Sequence, residues 1–241
     1  MFNSDHHTVR SVNDGPALRA AALAVLLTVS VSSASLFFYG VSGALVCAAA
    51  AFILFGSAVR VIALNYPHAH LGLCNVITAL RAGLVCLLVG SLAVPDVIVE
   101  NSWILTSIAV TAFAMDGLDG WLARRAQLVS SIGARFDMET DAIFGATLAL
   151  MLIASGQGGF AVLVLGFTRY VYLALGLLLP WLNDPIPESY RRKAVCVLQI
   201  TALIILLAPI GVPSAFVATV AAMLLLWSFG LDIIWLSQNR R

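Results

Sequence analysis

Residues 102–141 read SWILTSIAVTAFAMDGLDGWLARRAQLVSSIGARFDMETD. The first fourteen residues are mostly apolar and carry no charge, and they run straight into Asp116 and Asp119. Spacing i, i+3 puts those two acids on one face of a helix, and Asp137 and Asp141, at i, i+4, share a face of the next. The connecting segment is short, so the two helices are neighbours and the two pairs of acids can converge. Four ionised carboxylates at the edge of an apolar run repel one another and cost several kcal/mol unless compensated. One divalent cation, or two, removes that cost, and an all-oxygen donor set suits magnesium, manganese or calcium. The acids lack the spacing of an EF-hand loop. Gly117, Gly120 and Gly133 carry no side chain, which permits close approach of a ligand to the backbone or close packing between helices.

The rest of the chain explains why an acid cluster sits beside an apolar run. Of 241 residues, 61% are hydrophobic and 10% charged, with a mean hydropathy of +0.99. Soluble domains carry about 25% charged residues, so the apolar surplus must face lipid. A helix needs about 20 apolar residues to cross the hydrocarbon layer. Eight segments qualify, at 18–39, 43–64, 76–95, 102–122, 138–155, 159–181, 194–209 and 213–236. Gly40 and Gly43 predict a tight turn between the first two, and Pro67, Pro95, Pro209 and Pro213 mark loop edges. The polar stretch Met1 to Leu18 does not suit a cleavable signal, so the first apolar run is expected to be a retained span.

Charge sets the expected orientation. Arg10, Arg19, Arg60, Arg81, Arg124, Arg125, Arg135, Arg191, Arg192, Lys193, Arg240 and Arg241 all fall on one side if the spans alternate. The opposite loops, 40–43, 96–101, 156–158 and 210–212, hold only Asp96 and Glu100 as charges. This asymmetry places both termini in the cytoplasm. The expected fold class is therefore all-α, a polytopic membrane helix bundle of about eight spans. Its divisions are a tail at 1–17, a transmembrane hairpin at 18–66 and a membrane domain at 67–241. Cys47, Cys74, Cys86 and Cys196 sit singly in apolar runs, so neither a disulfide framework nor a zinc site is expected. His68 and His70 have no acidic neighbours and read as interfacial residues, as do the five Trp. Nothing in the charge pattern suggests nucleic acid.

The acidic segment resembles the signature of the CDP-alcohol phosphotransferase family, D-x2-D-G-x2-A-R-x8-G-x3-D-x3-D. It reads here Asp116, Asp119, Gly120, Ala123, Arg124, Gly133, Asp137 and Asp141, every spacing intact across 26 residues. The resemblance extends over about residues 70 to 238, whose six spans match the family's six-helix membrane domain; the two N-terminal spans lie outside it. It implies that Asp116, Asp119, Asp137 and Asp141 bind two divalent ions, Mg2+ or Mn2+, with Asp141 as the base that takes the acceptor's proton. It implies that Gly120, Ala123, Arg124, Ser130 and Gly133 hold the CDP moiety. Asn75, Thr78 and Arg81, arranged N-x2-T-x2-R, resemble a second family element near the nucleotide. A homodimer is also implied. The activity implied is transfer of a phosphatidyl group from CDP-diacylglycerol to a small alcohol. The same motif serves transfer of phosphocholine or phosphoethanolamine from a CDP-alcohol to diacylglycerol. From another class, a transporter or membrane scaffold would also use eight spans, but it would place its acids nearer the bilayer midplane and show internal symmetry.

Four cations remain. Arg169 lies mid-span, about 14 Å from the nearer apolar end at 1.5 Å per residue. Such a residue faces a polar cavity or a partner, and an anionic acceptor or phosphate is favoured here over a purely structural ion pair. Arg191, Arg192 and Lys193 open the seventh span, where they serve either a phosphorylated acceptor or lipid phosphate, or only the topology signal. Asp232, near the end of the last span, has no role assigned by the sequence.

Overall fold

The structure, a computed structural model, describes residues 15–65, 73–126, 131–184, 186–187 and 189–239. For residues 65, 73–74, 118–126, 131–132 and 134 it describes the backbone alone. Residues 1–14 of the N-terminal tail, His68, His70 and Ser130 lie outside the described residues.

The first helical element, α1 (Gly15–Asn65), contains both N-terminal spans. They are separated at Gly40, whose φ of 70° and ψ of −166° lie where L-residues with side chains rarely go. The two arms fold back on each other. A Cβ placed on Gly90 would lie 2.7 Å from Ser35 Oγ and 3.0 Å from Cys47 Cβ. An unbroken helix would hold residues twelve apart at about 18 Å, so the chain reverses between them. The expected turn at 40–43 thus narrows to a single residue. Gly43 is instead a packing position, close against Tyr39 and 3.1 Å (from a would-be Cβ) from the Gly90 carbonyl.

The remaining helices are α2 (Leu73–Ser91), α3 (Pro95–Glu100), α4 (Ser102–Ala126), α5 (Ser131–Ala154), α6 (Phe160–Leu178), α7 (Tyr190–Leu207) and α8 (Ser214–Gln238). These match the expected spans to within a few residues at most ends. The segment 96–101, read as a loop, is largely the short helix α3, because Pro95 occupies a first-turn position where its missing N–H costs nothing. A 3-10 turn at Pro180–Asn183 follows α6. Among the described residues there is no strand.

The core is built from Val85 and Leu88 on α2, Leu105 on α4, Leu148 and Met151 on α5, Leu165 on α6, Leu203 on α7 and Leu225 on α8, all buried. Small residues bring α5 and α6 together, Gly166 packing directly on Ala149. Outside this core the surface is apolar as well: Phe37, Phe52 and Leu177 are 85%, 76% and 85% exposed. Apolar exposure on this scale marks a lipid-facing surface. The segments Gly15–Leu64, Phe160–Leu178 and Ser214–Gln238 are long and apolar enough to cross a membrane. Among the described residues the apolar parts of α2 and α4 are Asn75–Ser91 and Ser102–Gly117, and each helix carries polar residues at one end, Asn75, Thr78 and Arg81 on α2 and Asp116 on α4. The chain is an all-α membrane helix bundle.

Candidate functional site

Those polar ends meet. Arg81, on α2, is 1% exposed. A guanidinium buried among apolar helices costs several kcal/mol unless it is paired and its donors are used. Its Nη1 donates to Asp116 Oδ1 on α4. Its Nη2 donates to Asp137 Oδ1 on α5 at 2.5 Å and lies 3.2 Å from Asp141 Oδ1. The same Nη2 lies 3.4 Å from the Asp137 backbone carbonyl. One cation thereby ties three helices. The helix periods account for the rest: Asp137 and Asp141 come to the same guanidinium because they are one turn apart on α5.

Three carboxylates converge on this one guanidinium, an arrangement rich in negative charge that a divalent cation suits. The acids are only partly covered, with side-chain exposures of 36%, 35% and 48% for Asp116, Asp137 and Asp141. One oxygen from each lies within 4.8 Å of the others. A compact set of carboxylate oxygens fits a hard divalent ion such as Mg2+ or Mn2+. Asp119 lies on α4 one turn beyond Asp116, and its side chain, like those of Ala123 and Arg124, lies outside the described residues, as does the surround of Gly120.

Beside the acids is a cavity of about 510 Å³, walled by both arms of α1, by α2 and by the first turns of α5. Asn75, Thr78, Gly133 and Glu139 line its polar side. Three of these belong to the residues whose resemblance implies nucleotide contact, and they come from helices far apart in sequence.

The other cations sit on the same polar end of the bundle. Arg169 Nη2 donates to Glu139 Oε1 at 3.0 Å, so the mid-span charge on α6 has a partner on α5. The arginine remains 34% exposed, and its Nε is buried with no hydrogen-bond partner among the described residues. Arg191 is more fully engaged. Its Nη2 donates to Asp232 Oδ1 at 2.6 Å, its Nη1 to the Ser228 carbonyl at 2.6 Å and to Ser228 Oγ at 2.7 Å. Its guanidinium carbon lies 5.7 Å from the centroid of the Trp227 ring. Arg192 lies 4.0 Å from Asp232 Oδ2 and donates to the Pro187 carbonyl. Lys193 is exposed.

Cys196 on α7 lies within electrostatic reach of Asp141, Arg169, Arg192 and Asp232, so charged groups from α5, α6, α7 and α8 gather around the same stretch of α7. Glu139 and Asp232 are the paired acids that the sequence did not single out. The signal for Asp232 was available: an acid inside an apolar span requires a cation, and Arg191 heads the preceding span. Glu139 was masked by the more regular acids around it.

A family model for CDP-alcohol phosphatidyltransferases matches residues 71–231, a span that begins just before α2 and ends within α8. No curated protein and no solved structure matches the chain. Two thirds of the sequence, including every acid of the cluster, falls inside the matched region, and the chain belongs to the CDP-alcohol phosphatidyltransferase family.

Proposed function

We propose that this protein is a metal-dependent membrane transferase that moves a phosphatidyl group from CDP-diacylglycerol to the hydroxyl of a small polar alcohol, releasing CMP, in phospholipid synthesis. The observation that carries this reading is the meeting of Asp116, Asp137 and Asp141 within 4.8 Å on the polar end of a membrane bundle, in a chain of this family. In the reaction the acceptor oxygen bonds to the lipid-side phosphorus. The pyrophosphate P–O bond breaks, and CMP departs with the bonding pair. The acceptor's proton goes to Asp141, the most exposed of the three acids.

Asp116, Asp119, Asp137 and Asp141 would hold two ions, Mg2+ or Mn2+, which when bound neutralise the pyrophosphate and stabilise the leaving CMP. The protein's own groups do the positioning. Arg81 holds Asp116 and Asp137 in register from a buried platform, so the acids spend little reorganisation energy as charge moves. Gly120, Ala123, Arg124, Ser130 and Gly133, with Asn75 and Thr78, cradle CDP; a guanidinium at Arg124 suits a bidentate phosphate contact. Arg169 offers the acceptor a guanidinium that is about a third exposed beside Glu139. The excess of cations on this end supports a site on the cytoplasmic side, where a soluble alcohol meets a donor anchored by its tails.

The test is a transfer assay on purified protein with labelled CDP-diacylglycerol, Mg2+ or Mn2+ and a panel of alcohols, scoring CMP and lipid product, with Asp141→Asn alongside. Metal-dependent product with one acceptor, lost in the variant, is the expected result. No product with any alcohol, but product from CDP-choline and diacylglycerol, would move the assignment to the other donor class.

A further inference from the structure

The N-terminal hairpin lies outside the matched region 71–231, and it forms much of the wall of the 510 Å³ cavity. At the far end the arms of α1 are clamped to α2. Ser35 and Cys47 close over Gly90. Halfway along, a Cβ on Gly83 would meet Val31 at 3.3 Å and Phe55 at 4.0 Å. On the acid-bearing side of these contacts the cavity takes over, between Ala20–Ala24 on one arm, Leu54–Ile62 on the other and Asn75–Ala79 on α2. The opening is therefore flanked by tight helix packing, which makes it a formed chamber and not loose association along the whole hairpin.

Its chemistry is graded. The hairpin contributes Leu23, Leu54, Phe55, Val61 and Ile62. The polar residues Asn75, Thr78, Arg135 and Glu139 come from α2 and α5, with Ser57 from the hairpin; Thr78 is one turn from Arg81, and Phe136, also in the wall, adjoins Asp137 in sequence. A ligand that fits is polar at one end, on the side of these acid-bearing turns, and hydrocarbon at the other. The volume lies within the ordinary range of small-molecule pockets.

We infer that the hairpin builds a chamber for an acyl chain of the CDP-linked lipid donor, and so selects donors by chain length. This rests on the donor assignment made above. An acyl chain is already out of water in the bilayer, so entering the chamber brings no hydrophobic gain; the chamber acts by fixing where the donor's headgroup sits and by excluding tails that do not fit.

The experiment uses the full chain in mixed micelles. Transfer is measured from CDP-diacylglycerols with long (oleoyl) and short (hexanoyl) chains, for the native protein, Ala58→Phe and the milder Ala24→Leu. In parallel, a CDP-diacylglycerol with a diazirine midway along one tail is photolysed, and the labelled peptides are mapped; a phosphatidylglycerol with the same tail serves as the comparison. The expected result is a fall of about tenfold or more in the long-over-short preference, in line with the discrimination an altered apolar pocket commands, with short-chain transfer retained. The label from the CDP lipid falls on residues 20–24 and 54–62, exceeds that from phosphatidylglycerol there, and is removed by Ala58→Phe. An unchanged preference in both variants, or label confined to the outer lipid-facing residues such as Phe37 and Phe52, overturns the proposal. Equal labelling by both probes also overturns it and makes the chamber a site for bulk lipid. If native protein transfers from neither donor, the donor assignment falls by itself, and the labelling alone then decides the chamber.

Discussion

Arg81 and Asp137 are 56 residues apart in the chain, yet Arg81 Nη2 lies 2.5 Å from Asp137 Oδ1. The contact joins α2 to α5, and through the other arm of the same guanidinium both are joined to Asp116 on α4. A buried cation thus organises the acids before any metal or substrate is considered. The acids are each more than a third exposed.

Removing that cation exposes how much the arrangement depends on it. Arg81→Gln should lower stability by about 2 kcal/mol, less than the cost of breaking a fully buried pair because the acids are partly solvated. Thermal unfolding followed by tryptophan fluorescence in chelator should show a clear drop in midpoint. Added Mn2+ should narrow the gap to the native protein, since a cation then replaces the lost charge. An equal gap with and without Mn2+ would mean that Arg81 and the metal do not share the acids.

Metal binding should be visible without catalysis. At a concentration a hundred times its dissociation constant, an ion bound only by the folded protein stabilises it by about 2.7 kcal/mol. Mn2+ should therefore raise the midpoint of the native protein and leave Asp116→Asn/Asp137→Asn unmoved. Chelator should abolish transfer, and Mg2+ or Mn2+ should restore it. Transfer persisting in chelator would remove the metal from the mechanism.

Asp141→Asn keeps the size of the side chain and removes its capacity to take a proton. Transfer should fall by about 10² to 10⁴, the range for loss of a general base, with little change in thermal midpoint in chelator. A fall below tenfold would shift the role of base elsewhere.

Arg191 and Asp232 form a largely buried pair, 25% and 11% exposed. Asp232→Ala should cost about 3 kcal/mol by leaving the guanidinium without its carboxylate. Arg191→Ala should cost a similar amount, and the double variant should cost much less than the two together. Additive losses would show that the pair is not coupled.

Gly90 admits no side chain without displacement of Ser35, Cys47 or the Gly43 carbonyl. Gly90→Leu should cost about 1–3 kcal/mol as overpacking and should loosen the hairpin from α2. Cysteine cross-linking between the arms and α2 should fall in efficiency; unchanged cross-linking would locate the hairpin differently.

What the sequence by itself determined is what depends on neighbours along the chain. Hydropathy over 20-residue windows located the helices, because a span must be apolar over its own length whatever it packs against. Gly40 announced the reversal, since only a residue without Cβ enters that backbone region readily. The positions Asp116, Asp137 and Asp141 pointed to a shared centre because helical spacing is rigid and the connection is short. It was the tertiary structure that decided which charge faces which. Arg81, expected near the nucleotide, was shown only by the packing of α2, α4 and α5 to be a buried tie between the acids. Asp232 had no role until α8 lay against the start of α7, and Glu139 none until α6 brought Arg169 to it. The chamber, too, exists only between helices distant in sequence. Helix-to-helix packing in lipid is chosen by small residues and by the need to pair buried charge, and neither leaves a periodic mark within one helix.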